Sequence, residues 1–467
     1  MDKNKGGGSP PTGAPSGTVE QFGYKQELQR VLTLKDLIVY GMLFIIIIAP
    51  FGIFGEVNVV GFGMAPMVYL VGLCAMIFTA LGYMQMSNRF PIAGSVYSYV
   101  QRGINPHIGF MTGWLILVDY ILIPTLNYGL AGVWLHNAIP QVPSWVFIFA
   151  MITMNSFINY RGITLMKVLD WVVFAVEILV VIIFVFLGVK FLLSGGGFGG
   201  FTIKPFYNPE FFNMKFIATA ATVACLSFLG FDAISTLSEE TREPEKNVGR
   251  ATVLTLLIVG GIFILITYIA SSVWGARDLA ELDPESGIYQ IANEIGGEAL
   301  ELFLLGVMVI GSIFGSLTAQ AAMTRVLFSM SRDGLMPKFM SKIHAKHKTP
   351  YLTVVFVAVF MFIVSFVPPM QLVRFVNFGG LTSFIVLNFA VFWFFFIREK
   401  RRHSFGDYVK FLICPVIGMT ILGYVWSGFD KPTLILGFSW LAVGVVVAAI
   451  KTKGFKEVPE AFRNMSL

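Results

Sequence analysis

Four stretches of this chain, Met64 to Met84, Trp145 to Tyr160, Trp171 to Val189 and Tyr351 to Val367, are apolar throughout, and only Glu177 puts a charge into any of them. Runs near twenty apolar residues are long enough to cross the roughly 30 Å hydrocarbon layer of a bilayer as helices. Composition agrees. Of 467 residues, 56% are hydrophobic and 13% charged, against about 25% charged in a soluble domain, so there is too little polar surface to face water all round. The abundant Met, Phe and Gly suit closely packed transmembrane helices. Cys74, Cys225 and Cys414 all lie in apolar segments, where they read as small packing residues and not as a disulfide framework.

The apolar pattern divides into twelve spans: 34–56, 64–87, 106–138, 143–160, 166–193, 215–239, 250–275, 298–331, 350–367, 371–397, 408–427 and 432–450. Residues 1–30 show no cleavable signal pattern, and with GGGSPPTGAPSG at 6–17 they read as a disordered cytoplasmic tail. Residues 451–467 form a second tail. If the first tail is cytoplasmic, 27 of the 33 Lys and Arg fall on the inner side, with Lys190, Lys204, Lys215, Arg277, Arg374 and Lys431 outside. That bias expects both termini in the cytoplasm of a plasma-membrane protein. It also accounts for the net charge of +6 without a nucleic-acid partner. IYQIANEIGG, in the acidic external loop 275–297, suggests a short extra helix.

Two spans carry breaks. IIIIAPFGIFG (45–55) places Pro50, Gly52 and Gly55 close together, and CLSFLGFDAIS (225–235) sets Gly230 between aromatics and beside Asp232. Proline removes an amide donor and glycine tolerates non-helical dihedrals. Opened backbone at membrane depth is tolerable only around a polar cavity, and paired breaks in two halves of a chain point to a transporter's binding site. Each break by itself is also what a simple kink looks like.

SFLGFDAISTLSEETREPEKNVGRA (227–251), RFPIAGSVYSYVQRGINPHIGFMTGW (89–114) and MTRVLFSMSRDGLMPKFMSKIHAKHKTP (323–350) resemble segments of the amino acid–polyamine–organocation permeases. The resemblance implies an all-α, leucine-transporter-like fold: five-helix repeats over 34–193 and 215–397, inverted relative to one another, with helices 1 and 6 broken, then helices 11 and 12 over 408–450. It further implies a site between helices 1, 3, 6, 8 and 10, and transport of amino acids or amines by proton coupling or exchange. Family members that bind amino acids typically hold the substrate carboxylate on a Gly-Ser-Gly-like stretch of helix 1. Here Ala49, Pro50, Phe51 and Gly52 stand there, and Pro50 has no amide hydrogen. LVDYILIP (117–124) is similar to bacterial putrescine importers, which also lack the glycine pattern.

Glu177 is the other departure. A lone carboxylate at mid-helix costs about 2.5–3.5 kcal/mol on insertion scales, so it marks either a function or a structural partner. In proton-coupled relatives a lysine at the matching position is thought to replace a bound sodium ion, a role a glutamate cannot copy. It can titrate with the driving proton or face a substrate ammonium. Asp119, one turn before Ile123 and Pro124, is its companion. Two acids suit a diamine, with Tyr120, Phe51, Phe228 and Phe231 adding aromatic faces. Ser227, Gly230 and Asp232 complete the candidate substrate set, Asp232 either touching substrate or capping the second half of helix 6. Glu177 and Asp119 are the coupling candidates. Ser316 and Thr318 are possible sodium ligands, and Glu239, Glu240, Arg242, Arg332 and Asp333 form a cytoplasmic ion-pair network. Tyr97 and Tyr99 read as interfacial anchors, and His107 and His136 as interfacial groups.

The expected activity is import of a putrescine-like amine by proton symport through alternating access, with no cofactor, no metal and no catalytic residues. An amino acid permease or exchanger of the same family is the first alternative. An amine-sensing receptor is the second, and the oligomeric state stays open.

Overall fold

A computed structural model of the chain describes residues 19–22, 25–210, 212–367, 369–451 and 453–454. The Gly/Pro/Ser-rich stretch and residues 455–467 lie outside the described residues. In chain order the helices are α1 (Leu34–Ile45), α2 (Pro50–Val60), α3 (Ala65–Arg89), α4 (Ser95–Gly103), α5 (Pro106–Ala138), α6 (Ser144–Arg161) and α7 (Ile163–Leu193). After a long connection come α8 (Met214–Leu226), a 3-10 helix over Phe231–Glu240, α9 (Pro244–Trp274), α10 (Gly287–Arg332), α11 (Tyr351–Val364) and α12 (Pro369–Val391), which runs on as a π-helical turn to Arg398. α13 (Phe405–Tyr408), α14 (Cys414–Trp426) and α15 (Lys431–Lys451) close the chain. The described residues contain no strand, only one parallel bridge between Leu32 and Thr241.

Nine segments are long and apolar enough to cross a membrane, and α1 with α2 makes a tenth, bent by 55° at its break. α6 and α11, of 18 and 14 residues, complete the twelve spans. The packing logic is that of a protein dissolved in lipid. α7 turns Val168, Val172, Leu179, Ile182 and Phe186 outward and buries Asp170 and Glu177. Four crossings (α3, α5, α6 and α7) lie between α1–α2 and α8 with its 3-10 continuation, so the two broken spans run in opposite directions.

Several boundaries differ from the sequence-based expectation. α4 was not anticipated; it lies between the second and third spans and is buried along its whole length. Tyr97 and Tyr99 on it are fully buried, and Tyr97 donates to Asp333 at 2.7 Å, so neither is an interfacial anchor. The eighth span starts where expected: Gly287–Gly296 is the short loop helix, separated from the span by a kink at Gly297 (φ 70°). Part of the expected tail, residues 1–30, is packed on the helices, with Val19 and Leu28 buried, as is Leu32 just beyond it. There the amides of Val31 and Leu32 donate to the Glu240 carbonyl (2.9 and 3.0 Å), and the Arg242 amide donates to the Leu32 carbonyl (2.9 Å).

Candidate functional site

The first break lies slightly before the expected one. α1 ends at Ile45, Ile46 takes a left-handed φ of 60°, and α2 starts with Pro50 in its first turn. Proline suits that position, since its missing amide would be unpaired there anyway. Pro50, Phe51 and Gly52 are therefore helical, and the unwound residues are Ile46 to Ala49. The amides of Ile47 and Ile48 find no backbone partner among the described residues. A β-branched residue at positive φ is rare and strained.

Glu177 faces this break. It is fully buried, and neither carboxylate oxygen has a hydrogen-bond partner among the described residues. The Ile47 amide points toward it without reaching hydrogen-bond geometry. On the far side is α10, where a β-carbon at Gly311 would lie 2.6 Å from Glu177 Oε1 and one at Gly315 would lie 2.7 Å from Ile46. Phe51 packs on Phe184 of α7 with centroids 5.0 Å apart, and Gly52 abuts Met308. Ala49 is half-buried beside them.

The second break runs from Ser227 to Gly230, whose φ of 112° needs a glycine. The chain resumes as ten residues of 3-10 helix, far beyond the usual three or four. Ser235, Thr236 and Ser238 donate their hydroxyls to carbonyls three residues back, which suits the tighter winding. Asp232 does not cap this helix. Its Oδ2 accepts from Tyr83 and Ser95, each at 3.3 Å, and from the Tyr120 hydroxyl, while Oδ1 has no partner among the described residues. Asp119 of α5 faces Asp232 at electrostatic range, is fully buried, and has no partner on either oxygen among the described residues. Its Oδ2 lies over Gly380 of α12. Phe231 packs on Phe384 (5.2 Å) and Phe228 on Phe263 (5.2 Å), and Ser227 meets the Tyr69 hydroxyl at 3.2 Å.

The candidate residues thus fall into two groups. Ala49, Pro50, Phe51, Gly52 and Glu177 gather at the first break. Asp119, Tyr120, Phe231 and Asp232 gather at the second, with Ser227, Phe228 and Gly230 in the turn itself. The closest companion of Asp119 is Asp232, not Glu177. Phe44 joins the groups: its ring lies 5.9 Å from that of Tyr120 and against Gly230. Ser95, Tyr83, Gly311 and Phe44 were not singled out from the sequence. Only Gly311 had a visible signal, the small-residue spacing Gly311–Gly315 that lets helix backbones approach. Ser316 and Thr318 direct their hydroxyls at carbonyls, Ser316 at those of Ser312 and Pro124 and Thr318 at that of Gly315.

Both faces are closed over the breaks. On the face that carries Leu32, Arg325 grips Glu240 through two nitrogens and Arg332 binds Glu239 at 2.8 and 3.0 Å. Glu239 also accepts the Ala93 amide. On the opposite face the Glu56 amide donates to the Pro284 carbonyl (3.1 Å), and Gly55 lies directly under the Asp283 and Pro284 carbonyls.

Comparison with known proteins agrees with this architecture. The family model for amino acid permeases matches residues 38–428. The chain is 32% identical to the low-affinity putrescine importer PlaP of Escherichia coli (strain K12), over 93% of this chain and 96% of the relative. It is 27% identical to the branched-chain amino acid permease BcaP of Bacillus subtilis (strain 168), over 91% and 93% of the two chains. It is also 27% identical to the methylthioribose transporter of the same organism, over 93% and 95%. The helices, the paired breaks and the extent of these matches lead to one conclusion: the chain is a multi-pass membrane transporter, not an enzyme, and it belongs to the amino acid permease family.

Proposed function

We propose that the protein imports a small cationic amine of the putrescine kind into the cytoplasm, driven by protons, with both termini on the cytoplasmic side. One observation carries this reading. Three carboxylates, Glu177, Asp119 and Asp232, are buried at the two breaks, and five of their six oxygens meet no donor among the described residues. A buried carboxylate without a counter-charge is costly. A substrate that brings its own ammonium groups, or a proton that neutralises one acid, relieves that cost. Asp119 and Asp232, ringed by the Tyr120, Tyr83 and Ser95 hydroxyls, form the ammonium end of the site. Glu177, beside the open amides of helix 1, is the coupling group. The similarity to a putrescine importer supports the substrate class. Under this reading the ion pairs at Glu239 and Glu240 close the inner gate, and the Pro284 segment closes the outer one.

The amides of Ile47 and Ile48, which have no backbone partner among the described residues, favour a second reading, an amino acid permease that cradles a substrate carboxylate at the first break. Uptake of labelled putrescine and a panel of labelled amino acids into proteoliposomes separates the two. Accumulation of putrescine under an inward proton gradient, abolished in Glu177→Gln, is the expected result. Amino acid uptake without putrescine uptake overturns the amine reading, and unchanged transport in Glu177→Gln removes Glu177 from coupling. A receptor binds without accumulating anything.

A further inference from the structure

α7 carries a second buried acid that this scheme leaves unused. Its inward face includes Asp170, Val173 and Glu177, spaced so that the two acids stand two turns apart on one side of the helix. Asp170 is 4% exposed, and its Oδ1 has no partner among the described residues. It lines a cavity of about 10 Å3, room for about one water, together with Asp36, Tyr40 and Lys167.

The cation in that cavity is already engaged. Lys167 pairs with Asp36 at 2.8 Å, and Asp36 also accepts from the Thr33 hydroxyl (2.7 Å) and the Trp171 indole (3.1 Å). Asp36 and Tyr40 face Asp170 from α1, and Lys167 does so from α7 itself. From α10, Arg325 faces Tyr40 but is held by Glu240. No charged group of α6 or α9 among the described residues bears on Asp170. The acid is therefore close to the cytoplasmic rim, in contact with a water-sized cavity, and not neutralised by a fixed counter-ion.

Between Asp170 and Glu177 the lining is apolar. Val173 packs with Val39 and Leu43 of α1 in a small separate cluster, flanked by Phe174 and Phe314. Two turns of helix rise about 11 Å, too far for direct proton transfer, so the acids communicate only through water. Two of the three plug residues ride on α1, and α1 ends at the break, free to hinge.

We propose that Asp170 is the exit relay for the proton carried by Glu177, connected to it only when α1 draws Val39 and Leu43 away from Val173. The inference rests on the reading of Glu177 as the coupling group. Once the plug is wet, the Glu177 acid O–H bond breaks toward a bridging water. The water at the other end gives a proton to ionised Asp170. Asp170 then releases it to water at the rim beside the Asp36–Lys167 pair. Glu177 is left ionised, Asp170 is restored, and one proton has reached the cytoplasm. The apolar plug prevents that release while α1 is closed.

The test uses the full chain in proteoliposomes with labelled putrescine as the probe. In Asp170→Asn, net uptake under an inward proton gradient should fall about tenfold or more. Counterflow of labelled against unlabelled putrescine, in which the loaded carrier returns without releasing its proton, should stay near the wild-type rate. Asp170→Glu should restore net uptake. Should Asp170→Asn not reconstitute, Asp170→Ser, which hydrogen-bonds without titrating, repeats the measurement. Unchanged net uptake, or equal loss of net uptake and counterflow, overturns the relay. If wild-type putrescine uptake ignores the proton gradient, the coupling reading itself fails, and that is visible before any variant is made.

Discussion

Glu177 of α7 and Gly311 of α10 occupy complementary volumes: a β-carbon on the glycine would stand 2.6 Å from Oε1 of the glutamate. The acid fits beside the first break only because position 311 carries no side chain. Gly311→Ala should displace the carboxylate or the Ile46–Ala49 turn. The expected result is a loss of putrescine uptake of at least about tenfold, since small misplacements of a working group are costly. Overpacking should lower stability by only about 1–3 kcal/mol, read from thermal unfolding in detergent. Wild-type uptake in this variant would show that the acid does not have to sit there.

The outer closure has a similar contact. A β-carbon at Gly55 would lie 2.3 Å from the Asp283 carbonyl, which is backbone and cannot swing aside. Gly55→Ala should hold the 283–284 segment away from α2 and favour an outward-open state. A single cysteine at Phe51, with the three native cysteines replaced, should then react faster with a membrane-impermeant maleimide. Equal reactivity with and without the Gly55 change would mean that the segment is not a gate.

At the second break Gly230 combines a φ of 112° with a β-carbon position 1.9 Å from Phe44. Gly230→Ala should cost about 1–3 kcal/mol from overpacking, with backbone strain in addition. Because the two sites touch, adding Phe44→Ala should recover part of that loss. Strictly additive losses in the double variant would show that the ring is not what fills the site.

The inner ion pairs should behave as buried pairs do. Arg325 and Glu240 are 6% and 2% exposed, so Arg325→Ala strands a buried carboxylate and should cost about 3–5 kcal/mol. Replacing both, with Arg325→Met and Glu240→Leu, should cost much less. Thermal unfolding of the three proteins checks the order, and a double variant as unstable as the single one would contradict it.

The spans were legible because runs of apolar residues are a local property of the sequence, and so were the two breaks as regions. The centre of the first break was not. Ile46 takes a conformation that sequence rules assign to glycine, and nothing local distinguishes it from Ile45 or Ile47. α4 was hidden because its buried positions include two Tyr, two Ser, a Gln and an Arg beside only two Val, which reads as an interfacial loop. The pairing of Asp119 with Asp232 depends on how α5 packs against the 3-10 helix, and residue spacing carries no trace of it. Glu177 stood out for the opposite reason, as one charge in an apolar run, and it lies against the first break with no hydrogen-bond partner among the described residues.

The bonds that tie Val31 and Leu32 to Glu240, and Arg242 back to Leu32, splice the start of one broken helix to the end of the other. They are main-chain bonds, so of the side-chain substitutions only proline, which lacks the amide hydrogen, removes a donor. Helix 1 and helix 6 meet on this face as one joined unit, and a movement that unseats one should carry the other. Spin labels at the N-terminal ends of α1 and α9 should keep a fixed separation while each changes its distance to α12.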